Sequence, residues 1–216
     1  MRVLLIPVKD LRQAKQRLAS RLSQAARTQL AEAMMRHTFA VAAQVRHLDR
    51  VAVVSLYPPA LELASRYGML TIPETSQVSE SGSVDFGIAE LTRMGATGVL
   101  RLPIDLPFLT PEEIERVLAL DTPERPHAIL VPSRDRQGTN AIWRRPGNLF
   151  PSAFGPGSLR RHQLAAEERG APCLLEVSPT IGFDLDDPTD LDDLLSDPRP
   201  TPLRPLLASL LERPSP

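Results

Sequence analysis

Short apolar runs alternate along the chain with stretches whose apolar positions recur every three or four residues. The run at 3–6 reads as a buried strand, and those at 51–54, 69–72, 99–102, 128–131, 141–143 and 174–177 as further strands. Between the first two, Ser23 is suited to cap a long helix with the stripe Leu30, Met34, Val41, Val45 and Leu48. Pro58-Pro59 opens a second helix that stops at Gly68, and a third covers roughly 83–94, ending at Gly95. Thr110-Pro111-Glu112-Glu113 combines a capping residue, a proline at the first helical position and a glutamate three residues after the cap. Further helices are expected over 158–169 and onward from Asp187-Pro188. Repeated strand–helix–strand units specify an α/β fold with a mostly parallel sheet covered on both faces. The rhythm breaks over 143–155, so the later strands have room for an antiparallel pair.

One domain over 1–197 accounts for these elements. Residues 198–216 carry six of the 22 prolines and read as a proline-rich tail, with at most a short surface helix over 206–211. The single cysteine, Cys173, excludes an intrachain disulfide and a multi-cysteine zinc site. A net charge of −1 gives no argument for binding nucleic acid or a membrane surface through bulk charge. No apolar run approaches the length of a membrane span, and the short start Met1 to Pro7 is no signal-peptide core, so a cytoplasmic protein is expected.

In open α/β sheets ligands bind beyond the carboxyl ends of the strands, which singles out four loops. The first, after strand one, offers Lys9, Arg12, Lys15 and Arg17 ahead of a helix, a set suited to a polyphosphate. Lys9 and Lys15 are the two lysines among 25 basic residues, so a mobile point charge stands where arginine is otherwise used. The loop lacks the glycines of a Walker or dinucleotide fingerprint. The second, Pro103-Ile104-Asp105-Leu106-Pro107, fixes a carboxylate at a strand end, a natural oxygen ligand for Mg²⁺. In the third, Asp187 reads as a helix cap while Asp184 and Asp186 fall on one side of an extended segment, where a cation would relieve their repulsion. The fourth joins Thr139 to Gly155, Gly157 and Ser158 at a helix start, where free backbone N–H groups favour an anion. Taken singly, each loop also reads as a solvated turn or a cap. Together they supply a cationic loop, a carboxylate cluster and a second anion pocket, the parts needed to move a nucleotidyl group onto a phosphate. No Ser-His-Asp signature, HExxH motif or reactive-cysteine context is present.

These residues also resemble a known family, the CofC guanylyltransferases of deazaflavin coenzyme F-420 biosynthesis, relatives of the molybdenum-cofactor guanylyltransferases. The resemblance spans about 6–195. It rests on Ile6-Pro7-Val8-Lys9 with Ala14-Lys15-Gln16-Arg17-Leu18, on Asp105-Leu106-Pro107 and on Gly138-Thr139-Asn140-Ala141. Further on it rests on Phe154-Gly155 with Ser158 and His162, and on Phe183-Asp184-Leu185-Asp186-Asp187-Pro188-Thr189-Asp190-Leu191.

The resemblance implies a single-domain nucleotidyltransferase fold, a Rossmann-like, GT-A-type three-layer sandwich. It implies condensation of GTP with a phosphorylated three-carbon acid, phosphoenolpyruvate or 2-phospho-L-lactate, releasing pyrophosphate. The product would pass to a downstream transferase acting on the deazaflavin precursor. Positions matching Thr139, Gly155 and Ser158 hold the acid's phosphate in that family, and those matching Asp105, Asp184 and Asp186 hold magnesium. Lys9, Lys15 and Arg17 would then take the β- and γ-phosphates, with Lys9, Lys15 and Asp105 as the catalytic groups. Arg160 or His162 would pair with the acid's carboxylate. Where the family usually shows Gly-Leu-Asn in the nucleotide pocket, this chain has Ser83-Val84-Asp85. Asp85 either accepts from guanine N1–H and N2–H₂ or marks a changed nucleotide or a lost activity. A sugar phosphate, molybdopterin or 3-phosphoglycerate acceptor, a nucleotide-sugar glycosyltransferase and a non-catalytic nucleotide-binding module are the competing readings, and a homodimer stays open.

Overall fold

The computed structural model describes residues 1–76 and 79–212 of the chain. Seven strands form one sheet: β1 (Arg2–Val8), β2 (Arg50–Ser55), β3 (Leu70–Pro73), β4 (Gly98–Arg101), β5 (His127–Pro132), β6 (Thr139–Arg145) and β7 (Cys173–Leu175). Their spatial order is β3-β2-β1-β4-β6-β5-β7. All neighbours are parallel except β6, which runs antiparallel to both β4 and β5. The antiparallel element left open by the broken rhythm is therefore β6, inserted in the middle of the sheet. The strand order reverses direction between β1 and β4, which opens the crevice where ligands bind in such sheets.

The alternation of β1 sorts the two helical layers. Leu4, Ile6 and Val8 pack with α1 (Gln24–Ala42), α2 (Pro58–Arg66) and α4 (Pro111–Ala119). Val3 and Leu5 face the opposite layer and meet α3 (Glu80–Arg93), while α5 (Ser158–Glu168) covers β5 and β6 on that same layer's core. The helix starts follow the local chemistry expected of them. Ser23 Oγ accepts from Ala26 N–H at 3.3 Å, and Thr110 Oγ1 accepts from Glu113 N–H at 3.4 Å. Asp187 caps α6 (Pro188–Ser196) in a reciprocal box with Asp190.

Three expectations change. Helix α1 ends at Ala42, so Val45 and Leu48 pack against the core from the following loop. Helix α3 begins at Glu80, because Ser79 supplies the cap by accepting from Gly82 N–H. The proline-rich segment is no appendage. In α7 (Arg204–Leu211) and the residue before it, Leu203, Leu207 and Leu210 are buried against Leu18, Leu22, Leu30 and Met34. Its prolines cause no conflict, since Pro205 falls in the first helical turn and the others described lie outside the helix. Among the described residues, no helix is long and apolar enough to cross a membrane.

Candidate active site

The carboxyl ends of β1 and β4, the start of β6 and the first turns of α5 and α6 border one cleft of about 1170 Å³. Beyond β1 the chain makes two 3-10 turns, Leu11–Gln13 and Gln16–Ser20. Asp10 caps the first and binds Arg12, so Arg12 is committed to the turn. Between the turns Lys15 adopts φ 53° and ψ 44°, a left-handed conformation that costs a non-glycine residue about 1–2 kcal/mol. That conformation accompanies a side chain directed inward: Lys15 Nζ donates to Asp105 Oδ2 at 2.9 Å and to Asp186 Oδ1 at 2.7 Å. Burial disfavours the ammonium, but the two carboxylates outweigh it and hold the Lys15 pKa above its ordinary value.

Asp105 is held below the usual carboxylate range. Burial opposes its charge, and Lys15 first, then Arg101, more than compensate. Asp184 behaves in the opposite way, with its pKa pushed up to about 6 by burial and by the charges of Asp105 and Asp186, against a hydrogen bond from Asn140. Asn140 Nδ2 donates to Asp184 Oδ1 at 3.0 Å and to the Ile181 carbonyl at 2.9 Å. Leu185 N–H donates to the Asp105 carbonyl at 3.0 Å, which ties the two acidic loops together. Three carboxylates thus face one cleft with one ammonium between two of them. Among the described residues, no three His, Cys, Asp or Glu side chains already form a cage for a metal ion. Oxygen donors of this kind, one or two at a time with phosphate and water completing the shell, are what Mg²⁺ takes.

The opposite wall is built from Thr139, Gly155 and Ser158, all lining the same cleft. Thr139 N–H donates to Ser158 Oγ at 2.9 Å, joining β6 to the start of α5. Gly155 and Gly157 have φ of 103° and 71°, values that side chains rarely adopt, and so let the loop present its amides at the helix start. Those two amides donate to no protein group among the described residues.

Lys9 and Arg17 are exposed and line the cleft, Lys9 lying 3.8 Å from Glu80. Asp85 does not line it. Its carboxylate accepts from Ser152 N–H at 3.0 and 3.1 Å and faces Arg144 at 3.9 Å, pinning α3 to the loop before α5. Asp85, read from the sequence as a candidate contact to guanine, is thus engaged by protein groups in this structure. Arg160 and His162 also lie outside the cleft lining; Arg160 is exposed and His162 is fully buried. Arg101 was not anticipated. It is buried at the end of β4, lines the cleft, binds Glu80 and the Asn140 carbonyl, and stacks 4.1 Å from the Phe154 ring centroid. Burial brings its pKa down to about 10. Its signal in the sequence was a charged residue inside the apolar run at 99–102, since buried arginines are rare without a partner or a task.

A doubly wound sheet with this cleft defines a nucleotidyltransferase-type fold, and solved structures agree. The chain superposes on a putative nucleotide-diphospho-sugar transferase from Desulfovibrio desulfuricans G20 with a TM-score of 0.74 at 14% identity, covering 97% of this chain and 96% of that one. It also matches a CMP:2-keto-3-deoxy-manno-octonic acid synthetase complexed with CTP, with a TM-score of 0.61 at 17% identity and coverage of 96% and 98%. At the level of sequence, the profile of the family described as "Guanylyl transferase CofC like" matches residues 1–210, and the chain belongs to that family. Among its relatives, a phosphoenolpyruvate guanylyltransferase of Sphaerobacter thermophilus is 36% identical over 192 residues, 89% of this chain and 91% of the relative. A 3-phospho-D-glycerate guanylyltransferase of Colwellia psychrerythraea is 30% identical over 197 residues, 90% and 92% of the two chains.

Proposed function

We propose that the protein condenses GTP with phosphoenolpyruvate, giving a diphospho-guanosine conjugate and pyrophosphate, in the cytoplasm and as a step toward coenzyme F-420. A downstream transferase would take the conjugate onto the deazaflavin precursor. The observation that carries this reading is the pairing, across one cleft, of the Lys15–Asp105–Asp186 cluster with the Thr139–Ser158 wall and its free amides. One wall suits a nucleoside triphosphate and the other a second, smaller anion.

In this mechanism an oxygen of the acid's phosphate attacks the α-phosphorus of GTP. The new P–O bond replaces the bond to the β-phosphate oxygen, which leaves with pyrophosphate. A phosphate dianion is a competent nucleophile, so the protein's work is positioning and charge stabilisation. Thr139, Gly155 and Ser158 hold the acceptor, and Lys9, Lys15 and Arg17 receive the leaving phosphates. Asp105 orients Lys15, and Asp105 with Asp184 and Asp186 would hold Mg²⁺, which supplies neutralisation of phosphate charge when bound. The elevated Asp184 pKa is consistent with this: burial first, and then the neighbouring charges of Asp105 and Asp186, disfavour its ionised form, which a bound cation would favour.

Pyrophosphate release measured with each of the four nucleoside triphosphates and with phosphoenolpyruvate, 2-phospho-L-lactate or 3-phosphoglycerate tests the reading. Release with GTP and phosphoenolpyruvate supports it. Release with 3-phosphoglycerate alone would move the acceptor to that of the Colwellia relative.

A further inference from the structure

We propose that His162 is a positioning residue that commits the Thr139 hydroxyl to act as a donor toward the acceptor, so that this wall meets its ligand with hydrogen-bond donors preset by the protein. The proposal rests on the reading of Thr139, Gly155 and Ser158 as the acceptor subsite and adds to it a residue that never reaches the cleft.

The imidazole of His162 is fully buried on α5, with its ring centroid 5.1 Å from that of Phe154, edge to face, and 6.2 Å from that of Phe150. Its two nitrogens have different partners. Nε2 lies 3.0 Å from the backbone nitrogen of Ala153, which donates to it. A ring nitrogen that accepts carries no proton, so the proton of the neutral imidazole is on Nδ1. The neutral form is enforced by the surroundings: burial first, then the guanidinium groups of Arg144, Arg101 and Arg161, bring the His162 pKa down to about 3.

Nδ1 lies 3.0 Å from Thr139 Oγ1. With the proton on Nδ1, that bond has one sense, from histidine to threonine. A hydroxyl has a single proton, and here an inward lone pair is already engaged. Among the described residues no protein acceptor takes the Thr139 proton, and Thr139 lines the cleft. The proton is therefore offered to whatever anion lies there. Ser158 repeats the device by another route: its Oγ accepts from Thr139 N–H at 2.9 Å and donates to no protein group among the described residues. Two hydroxyl protons and the amides of Gly155 and Gly157 then line one wall of the cleft, with less rotor freedom to be lost on binding.

The test compares Thr139→Val, His162→Phe, His162→Asn and the double variant Thr139→Val/His162→Phe. Each is measured for KM toward phosphoenolpyruvate, KM toward GTP, kcat and melting temperature. Thr139→Val and His162→Phe should each raise the KM for the acid about tenfold, the scale of one lost hydrogen bond to an anion, with the KM for GTP within about twofold. The double variant should be no worse than either single variant. His162→Asn, whose side-chain Nδ2 occupies the place of the histidine Nδ1, should restore most of the affinity. If Thr139→Val raises the KM for the acid while His162→Phe does not, or if the two effects multiply, His162 has only a structural role and the proposal is overturned. If Thr139→Val itself leaves the KM for the acid unchanged, the acceptor-subsite reading fails and the proposal falls with it. Should His162→Phe not fold, ¹⁵N spectra of the wild-type imidazole decide: protonation at Nδ1 across neutral pH supports the proposal, and protonation at Nε2 overturns it.

Discussion

The ammonium of Lys15 lies 2.9 Å from a carboxylate oxygen of Asp105, a contact between residues 90 apart in sequence that joins the loop after β1 to the loop after β4. The same ammonium reaches Asp186 at 2.7 Å, so one side chain holds three loops of the cleft together. Replacing it by methionine leaves two carboxylates facing each other without their cation. Lys15→Met should lower stability by about 2–3 kcal/mol at neutral pH, at or below the lower end of the range for a broken buried pair because Asp186 is partly exposed. The sign with pH follows from Asp105. Its depressed pKa contributes stability that is present above the ordinary aspartate value near 3.8 and lost as pH falls through the lower folded value. Melting temperatures of variant and wild type should therefore converge in acid. Turnover of Lys15→Met should drop by about 100-fold or more, and Lys15→Arg should not recover it, since a planar fork does not replace a compact point charge.

Asp184 predicts the opposite dependence. Its folded pKa of about 6 exceeds the ordinary aspartate value of 3.8, so its ionised form is a liability that is absent below the lower value and complete above the higher one. Asp184→Asn keeps the acceptor for Asn140 and removes the charge. The variant should be more stable than wild type by about 1–2 kcal/mol at pH 7.5, an advantage that shrinks to nothing by about pH 4. Thermal unfolding at the two pH values measures it. An advantage that persists unchanged in acid would contradict the electrostatic account. Activity should fall in the same variant.

Asp85 should matter for folding and not for the choice of base. Asp85→Ala removes the acceptor for Ser152 N–H and the carboxylate facing Arg144, at a cost of about 1–3 kcal/mol. Nucleotide preference, measured as kcat/KM for GTP against ATP, should stay within about twofold of wild type. A switch in preference would return Asp85 to the nucleotide pocket.

Leu207 tests the packing of the proline-rich segment. It is fully buried in α7, and Leu207→Ala should cost about 2–4 kcal/mol in denaturant unfolding. A surface helix would lose less than about 0.5 kcal/mol.

What could be read from the sequence was mostly local. Strand runs, the Thr110-Pro111 helix start and the Asp187 cap depend on neighbours in sequence; both helix starts are where capping chemistry puts them, and every strand run overlaps a strand, although the last ends at Leu175, two residues short of its apolar run. That the loops carrying Lys15, Asp105, Asp184 and Asp186 line one cleft was also legible, because loops at the carboxyl ends of parallel strands share one edge of the sheet, but the pairing of Lys15 with Asp105 and Asp186 was not. Other features depend on partners distant in sequence. Counting prolines hid α7, whose leucines are buried only because α1 and the turn around Leu18 present a matching surface. The left-handed backbone at Lys15 has no glycine to announce it. Asp85 and Ser83 lie two apart on α3, yet Ser83 lines the cleft and Asp85 does not, a distinction set by the helix's rotation against the sheet. His162 was read as a candidate charge partner for the acid; its burial first, and then three surrounding arginines, disfavour its charge, and its Nδ1 lies 3.0 Å from Thr139 Oγ1, none of which is visible in the sequence.

The most direct test of the central claim is to detect the conjugate itself. Protein, Mg²⁺, GTP and phosphoenolpyruvate would be incubated with a deazaflavin acceptor and its transferase, and the products read by mass spectrometry beside an Asp105→Asn control. Formation of the diphospho-guanosine conjugate, or of its transferred acid moiety, by the wild type and its reduction by about 100-fold or more in Asp105→Asn is the predicted result. No conjugate from folded, GTP-binding wild-type protein with any of the three acids, or full activity in Asp105→Asn, would contradict the account.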